Sequence, residues 1–210
     1  MKLLLLGATG LVGSRTLQLA LSNDVFSEVI APSRKALVPR DRLVNPVTAQ
    51  LEELIPALKS YQPGAVICAL GTTQAKAGSR DGFRYVDHDL PVAFGKAAHA
   101  AGVNTYAIVS ALGASEHSMS FYYRTKGEVE RDLRRVGFHS LTICRPSLIG
   151  GERQEARHAE GTALALIRFL APILPKKFHV NPADVIAAAL LDAILVAKTG
   201  CRWIGAEEMN

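Results

Sequence analysis

The chain opens with Met1-Lys2-Leu3-Leu4-Leu5-Leu6-Gly7-Ala8-Thr9-Gly10-Leu11-Val12-Gly13, and this stretch decides the fold. Lys2–Leu6 is a short, continuous apolar run, which is typical of a strand buried on both faces of a parallel sheet. Leu11–Leu21 follows with apolar residues at helical spacing. Because three glycines accompany the junction, the sequence predicts a strand, a tight turn and a helix in direct succession.

The rest of the chain continues this alternation of strand and helix. Strands separated by helices of 10–15 residues form βαβ units, and right-handed crossovers arrange them as a doubly wound parallel sheet. We therefore expect a single α/β domain over residues 1–210, with a small cap over a site at residues 150–178, where the alternation lapses. Further strands are predicted at Val29–Ala31, Leu43–Val47, Ala65–Leu70, Thr105–Ser110, Ser140–Cys144 and Arg202–Ile204, and further helices at about Asp87–Ala101, Phe121–Val136, Thr162–Leu170 and Ala183–Ala197.

Composition excludes several other classes of protein. Apolar residues make up 49% of the chain and charged residues 20%, values typical of a globular domain, which excludes a disordered or low-complexity chain. Three cysteines in 210 residues exclude a disulfide scaffold. Neither the cysteines nor the six histidines show the spacing of a metal clip, so we expect no metal.

The apolar segments are too short for a membrane span or a secretory signal. The longest apolar tract, Thr162–Pro175, is interrupted by Arg168 and falls short of the roughly 20 residues that span a bilayer. The leucine run Leu3–Leu6 is shorter than the apolar core of a signal peptide. These criteria predict a cytoplasmic protein without a membrane partner.

The glycine turn has the position that dinucleotide binding requires. In Gly7-x-x-Gly10-x-x-Gly13, the first glycine allows the tight turn, the second lets a pyrophosphate approach and the third lets the helix pack on the sheet. The helix N-terminus then offers amide groups to the phosphates. A turn that serves packing alone is the alternative. We expect the cofactor to contact the residues of this turn: Gly7, Ala8, Thr9, Gly10, Leu11, Val12 and Gly13.

The end of the second strand favours NADP(H) over NAD(H). An acidic residue there would bind the ribose 2′-hydroxyl of NAD, whereas arginine accommodates the 2′-phosphate of NADP. The segment reads Ala31-Pro32-Ser33-Arg34-Lys35 and contains no acid. We therefore expect Ser33, Arg34 and Lys35 to contact the cofactor, the alternative being that the two cations are solvated surface residues.

Tyr122 and Lys126 are spaced for proton transfer. Four residues apart on a predicted helix, their side chains share one face, and an ammonium beside a phenol favours the phenolate. Such a tyrosine acts as a general acid or base in carbonyl reduction. Ser110 ends a predicted strand at the edge of the sheet where sites form, and its hydroxyl would bond the reacting oxygen. Tyr123 is the neighbouring candidate, and it points elsewhere on the helix.

These motifs, in this order, resemble the atypical short-chain dehydrogenase/reductase superfamily. The resemblance is closer to its NmrA-like oxidoreductases related to the human HIV Tat-interacting protein. It covers residues 1–155 well and the remainder loosely. The specific stretches are Cys68-Ala-Leu-Gly-Thr-Thr73 with Lys76-Ala-Gly78, Phe121-Tyr-Tyr-Arg-Thr-Lys-Gly-Glu-Val-Glu130, and Arg145-Pro146 with Arg153-Gln-Glu155.

The resemblance implies a Rossmann fold that binds NADP(H) and a catalytic triad. It implies that Tyr122 donates or accepts the proton, that Ser110 orients the substrate oxygen, and that Lys126 holds the nicotinamide ribose. It also implies two further cofactor contacts, one after the fourth strand and one after the sixth. The residues concerned are Leu70, Gly71 and Thr72, and Pro146, Ser147 and Leu148.

Two positions depart from the family pattern. Ala49-Gln50-Leu51 stands where relatives often have an acidic residue near the adenine. Asp87 stands near the asparagine that completes a proton relay in many relatives. Both departures are compatible with cofactor binding, and both bear on how efficiently the site turns over.

We therefore expect an NADP(H)-dependent oxidoreductase that transfers hydride between nicotinamide and a small carbonyl, quinone or enone, with Tyr122 as general acid or base. The alternative is an NADP(H)-binding redox sensor that acts through a protein partner. A third hypothesis is a scaffold with a vestigial site. The expected partner is a small-molecule substrate, since the positive charges are spread along the chain rather than clustered as for nucleic acid. Thr162–Leu170 would be a lid or core helix, or else the contact of a homodimer.

Overall fold

The computed structural model describes residues 1–150 and 179–209. The strands are β1 (Lys2–Leu6), β2 (Glu28–Ile30), β3 (Leu43–Val44), β4 (Ala65–Cys68), β5 (Thr105–Val109), β6 (Ser140–Arg145), β7 (Ile149–Gly150), β8 (Asn181–Pro182) and β9 (Gly200–Gly205). The helices are α1 (Leu11–Leu21), α2 (Leu58–Tyr61), α3 (Gln74–Ala77), α4 (Arg80–Arg84), α5 (Leu90–Ala100), α6 (Phe121–Val136) and α7 (Ala183–Val196). Leu51–Ala57 and Ala206–Met209 form 3₁₀ turns, and Tyr85–Asp89 forms a π turn.

Seven parallel strands form the main sheet in the order β3-β2-β1-β4-β5-β6-β9. The chain builds outward from β1 to β3, then returns to place β4 on the other side of β1. This reversal makes the junction of β1 and β4 the topological switch point, where ligands bind at the carboxyl ends of the strands. The predicted doubly wound Rossmann fold is confirmed.

Two apolar layers cover the sheet, one on each face. Along β1, Leu3 and Leu5 pack into the layer formed with α1 and α7, while Leu4 and Leu6 pack into the layer formed with α5 and α6. All four leucines are fully buried. Successive residues of a strand point to opposite faces, so a strand covered on both sides needs the continuous apolar run seen at the start of the chain.

Glycines let α1 approach the end of β1. Gly7 has φ of +87°, and a Cβ at this position would lie 2.5 Å from the carbonyl oxygen of Ala69. A Cβ on Gly13 would lie 2.0 Å from the carbonyl oxygen of Gly7. Both positions therefore require glycine for reasons of space, as the predicted strand–turn–helix supposes.

The helix predicted at Asp87–Ala101 begins earlier and is not regular. It starts at α4, where the Ser79 hydroxyl accepts the amide of Gly82, and it passes through the π turn Tyr85–Asp89 into α5. Pro91 follows this turn and has no amide hydrogen to donate to the carbonyl group of Asp87. The wider π turn accommodates the missing hydrogen bond. Apolar periodicity does not predict such a local change in helical pitch.

The other differences from the predicted elements are small. β1, α1 and α6 have the predicted bounds, and the other strands of the main sheet and α7 differ by a few residues at their ends. The short elements α2, α3, β7 and β8, and the two 3₁₀ turns, were not predicted because each is too brief to show a period. The predicted cap at 150–178 and the predicted helix Thr162–Leu170 lie outside the described residues, apart from Gly150. β7 and β8 pair in parallel on either side of that segment.

Within the described ranges, 1–150 and 179–209, no helix combines the length and the hydropathy needed to cross a membrane.

We expect Gly13→Ala to lower the free energy of unfolding by about 1–3 kcal/mol, because α1 must move away from the Gly7 carbonyl group to make room for a methyl group. Gly10→Ala is the matched control, since a Cβ there would lie 3.3 Å from the same oxygen and needs only a slight adjustment. Urea unfolding of both variants measures the difference. Equal stabilities would contradict the close approach of α1 to β1.

Candidate functional site

The glycine turn and the loop after β4 meet at the switch point of the sheet. Gly7 lies against Ala69 and Leu70, and the Ala69 amide donates to the carbonyl group of Leu6 at 2.9 Å. The predicted cofactor residues after β1 and those after β4, Leu70, Gly71 and Thr72, are therefore neighbours. This edge is where a dinucleotide crosses the sheet in doubly wound folds.

The N-terminus of α1 suits a pyrophosphate. Gly10 is the residue at which the helix is capped, and it supplies no side chain to bond the free amides of the first turn. No acidic residue lies in that turn, so nothing there opposes an anion. The residues present fit a dinucleotide, because the helix end offers amide donors and the glycines leave room for phosphate oxygens.

The loop after β2 presents Arg34 and Lys35 on a rigid support. Asn45 donates to the carbonyl group of Ala31 at 2.6 Å and to the Ser33 hydroxyl at 2.8 Å. Ser33 is itself buried and donates to the carbonyl group of Lys35. The Arg34 and Lys35 side chains are exposed. Ser33 thus serves to fix the loop, and the two cations are left facing outward.

The acidic residues near β2 are engaged elsewhere. Glu28 pairs with Lys2 at 2.7 Å, and Asp24 pairs with Arg42 at 3.4 Å. Both lie towards the start of β2, away from its carboxyl end. No carboxylate from this strand therefore competes with Arg34 for a 2′-phosphate.

A buried ion pair forms the centre of the site. Lys126 Nζ lies 2.7 Å from Asp87 Oδ1, and the two side chains are 5% and 1% exposed. The second carboxylate oxygen of Asp87 accepts the amide hydrogen of Thr72 at 2.8 Å. One carboxylate thus connects α6 to the loop that follows β4.

Tyr122 is held on the same face of α6 by aromatic packing. Its ring centroid lies 5.6 Å from that of Phe83 on α4 and 5.1 Å from that of Tyr123. Tyr123 is 40% exposed and packs beside Gly113 on the loop after β5. The structure therefore distinguishes the two tyrosines: Tyr122 packs on Phe83 and shares a face of α6 with Lys126, whereas Tyr123 is partly exposed.

Burial is the main effect on the ionisation of Tyr122, and the two charges beside it act in opposite directions. Burial raises the pKa of the Tyr122 hydroxyl above its ordinary value, and the Lys126 ammonium lowers this pKa only in part because Asp87 acts in the opposite direction. Burial alone would lower the pKa of Lys126, but Asp87 and Tyr122 outweigh that effect and raise it. The site thus contains a neutral phenol beside an ammonium and a carboxylate.

Ser110 contacts Glu130, which lies one helical turn beyond Lys126 on α6. Its hydroxyl donates to Glu130, which is only 3% exposed. Glu130 also accepts Arg145 Nε at 2.9 Å and the indole NH of Trp203 at 3.2 Å. The predicted role of Ser110 in orienting substrate stays a prediction, and its hydroxyl donor is committed to Glu130 in this structure.

The predicted cofactor loop after β6 is fixed by one asparagine. Asn181, which is fully buried, accepts the Ser147 amide at 2.8 Å and donates to the carbonyl groups of Ala206 and Met209. Pro146 is buried and its carbonyl group accepts the Leu112 amide at 2.7 Å. Leu148 is exposed next to them, so this loop is anchored at its base and presents an apolar side chain.

Sequence reasoning missed the partners of the predicted residues. Asp87 was noted only as a departure from a family pattern, because nothing in the sequence indicates that a π turn directs it towards Lys126. Glu130 carried a usable signal: Tyr122, Lys126 and Glu130 recur every four residues on one helix face. No group of three metal-ligating residues occurs within the described part of the chain.

Comparison with known proteins finds relatives along most of the chain. A family model described as NAD(P)H-binding matches residues 7–164. The proteins named fmp52, mitochondrial, of Aspergillus fumigatus and Aspergillus clavatus are 38% and 36% identical over 223 residues, and each alignment covers 98% of this chain and 92% of the relative. Among solved structures, the Bordetella bronchiseptica enzyme WbmH in complex with NAD⁺ has a TM-score of 0.73 at 15% identity, covering 98% of this chain and 75% of that one. At that identity the similarity shows the fold alone.

The names of the relatives contradict the predicted cytoplasmic location, because they assign those proteins to mitochondria. The prediction was wrong because it rested on the lack of a secretory apolar core, a criterion that does not address mitochondrial proteins.

The alignment with the family model begins at the glycine turn and runs through β6, the part of the fold that carries the site. The chain therefore belongs to the NAD(P)H-binding family, and its fold is the Rossmann fold.

Proposed function

We propose that the protein is an NADP(H)-dependent oxidoreductase that transfers hydride between nicotinamide and a small carbonyl, quinone or enone. The observation that carries the proposal is that Tyr122 lies one turn of α6 from Lys126, which is paired with Asp87 beside the loop that meets the glycine turn. A protonated phenol next to a fixed ammonium is the arrangement that proton transfer to a carbonyl oxygen needs.

The residues of the chain divide the work of binding and proton transfer. A bound nicotinamide nucleotide supplies or accepts the hydride. The glycine turn and the α1 N-terminus bind the pyrophosphate, and Lys126 bonds the ribose while it remains paired with Asp87. Tyr122 exchanges a proton with the substrate oxygen. The loop Pro146–Leu148 bounds the nicotinamide side and contributes the apolar Leu148 to the substrate pocket.

The preference for NADP(H) rests on the loop after β2. Arg34 and Lys35 are exposed cations on a loop fixed by Asn45, and the nearby acids Glu28 and Asp24 are paired at the other end of the strand. A guanidinium bonds a phosphate through two parallel N–H groups, which a ribose hydroxyl cannot match. These features support a 2′-phosphate rather than a 2′-hydroxyl at this point.

The relatives named as mitochondrial lead us to propose that this protein also functions in association with mitochondria. Fractionation of cells that express the full chain tests this location.

Tyr122→Phe should lower kcat by at least about a hundredfold, because it removes the proton donor, and should leave the Kd for NADPH unchanged. Consumption of NADPH across a panel of quinones, aldehydes and ketones is the measurement. Tyr123→Phe is the matched control, since that residue is exposed on the adjacent helix face and should retain activity. Equal activity of the two variants would contradict the role of Tyr122. A wild-type protein that binds NADPH tightly but consumes none would favour the sensor hypothesis.

Arg34→Ala should weaken NADPH binding about tenfold, the loss expected for one charge-assisted contact of about 1.4 kcal/mol, with little change for NADH. Arg40→Ala is the matched control, because Arg40 is exposed in the same loop but lies farther along it. Fluorescence titration with each nucleotide gives the affinities. Equal losses for NADPH and NADH would show that Arg34 does not recognise the 2′-phosphate.

A further inference from the structure

We propose that Ser110 accepts a hydrogen bond from the substrate rather than donating one, so that the site recognises a hydroxyl group, as in an alcohol or a hydroquinone. Glu130 is the positioning residue that imposes this direction. The inference rests on the proposed function, and it adds which member of the carbonyl–alcohol pair the site binds more tightly.

The Glu130 side chain is a carboxylate that can only accept hydrogen bonds. Arg145 bonds it through two donors, with Nε on one carboxylate oxygen at 2.9 Å and Nη2 on the other. The indole NH of Trp203 donates to the second oxygen at 3.2 Å. A planar guanidinium that bonds both oxygens matches the ionised form of the acid, which has no hydrogen to donate.

The hydrogen of the Ser110 hydroxyl therefore points at Glu130. Ser110 Oγ bonds Glu130 Oε1, and the serine has to supply the hydrogen because the carboxylate has none. Ser110 is 4% exposed and Glu130 is 3% exposed, so the bond lies in the protein interior, where an unmade hydrogen bond is costly. A hydroxyl has one hydrogen and two lone pairs, and the lone pairs are what Ser110 has left to offer a ligand.

Ser110 lies beside the loop that is proposed to bound the nicotinamide. Two residues beyond it, the Leu112 amide donates to the carbonyl group of Pro146 at 2.7 Å, so the chain after β5 runs along the chain after β6. On the α6 side, Glu130 lies one helical turn from Lys126. Ser110 is thus held between the nicotinamide loop and the helix that carries the proposed proton donor.

A lone pair on Ser110 discriminates between the two members of a redox pair. A carbonyl oxygen has lone pairs only, and it would face the Ser110 lone pair with no hydrogen between them. An alcohol hydroxyl can donate to Ser110 Oγ and accept the hydrogen of the Tyr122 hydroxyl at the same time. No hydrogen bond joins Tyr122 to Ser110 among the described residues, so neither hydroxyl occupies the other. Sites that bond a hydroxyl group reject the analogue that lacks it.

The test compares alcohols with their ketones as ligands, under conditions in which neither reacts. The probes are isopropanol and acetone, cyclohexanol and cyclohexanone, and benzhydrol and benzophenone. Each alcohol is titrated into protein saturated with NADPH and each ketone into protein saturated with NADP⁺, and saturation-transfer NMR of the ligand gives Kd. In at least one pair, the alcohol should bind the wild type about tenfold more tightly than the ketone.

The variants separate the direction of the hydrogen bond from a structural role, and the nucleotide difference between the titrations cancels among them. Ser110→Ala should weaken alcohol binding about tenfold and leave ketone binding within about twofold. Glu130→Met combined with Arg145→Met removes both charges together and frees the Ser110 hydrogen to turn to a ketone, so the preference for alcohol should fall through tighter ketone binding. Glu128→Gln is the matched control, because Glu128 on the same helix bonds Arg84 rather than Ser110 and should keep the preference.

Two results would overturn the inference. One is an alcohol preference that is the same in the wild type and in Ser110→Ala, and the other is no alcohol preference in any of the pairs. Circular dichroism checks that each variant is folded. Ser110→Ala removes one oxygen atom only, so it carries the test if the double variant does not fold.

The two proposals can fail separately, because the titrations need no turnover and are repeated without nucleotide. An alcohol preference that Ser110→Ala abolishes supports the inference even in a protein that consumes no nucleotide. Turnover that is lost in Tyr122→Phe, together with tighter binding of ketone than of alcohol, would retain the oxidoreductase and reject the direction assigned to Ser110.

Discussion

The ion pair between Asp87 and Lys126 is the interaction on which the arrangement of the site depends. It connects the π turn before α5, the loop after β4 and the middle of α6, and it does so inside the protein where water does not screen it. Removal of one partner of a buried pair typically costs about 3–5 kcal/mol, because the other charge is left without compensation. The relative position of Tyr122 and the cofactor loop therefore depends on a single carboxylate.

Several features of the surrounding backbone position Asp87 and Lys126 for this pair. Pro91 cannot complete a regular helix, and the wider turn that precedes it contains Asp87. His88, the next residue, bonds Asp89 and Asp132 and so fastens the same turn to α6. Gly127 follows Lys126 where the loop at Ser115–Glu116 crosses the helix, and a Cβ there would lie 2.1 Å from the Glu116 amide nitrogen. Lys126 thus places its ammonium inside the site, and Gly127 next to it lets the loop at Ser115–Glu116 pass close to the helix.

The sequence predicted the parts of the fold that have a long, regular pattern. β1 was located to the residue by its continuous apolar run and α1 by apolar residues at helical spacing, and the glycine turn was recognised because it lies between these two segments. The pairing of Asp87 and the commitment of Ser110 to Glu130 depend on contacts between residues 15–39 positions apart. Local patterns carry no information on such contacts, and the family resemblance supplied the triad without its surroundings.

Glu130 illustrates the difference between a motif and a site. The Lys-Gly-Glu-Val-Glu stretch was used only as a mark of the family, yet its second glutamate is buried and bonds Ser110, Arg145 and Trp203. This second polar cluster lies one turn from Lys126 on the same helix. Glu130 fixes Ser110, the serine that the family resemblance assigns to substrate binding, because the Ser110 hydroxyl donates its hydrogen to Glu130.

The most direct test of the account is transfer of deuterium from NADPH labelled at C4 of the nicotinamide to a carbonyl substrate that the protein reduces. The account predicts that the label from one face of the ring appears in the alcohol in equal amount to the nucleotide oxidised. A product without label, formed while the nucleotide stays bound and unchanged, would contradict the assignment of this site to hydride transfer.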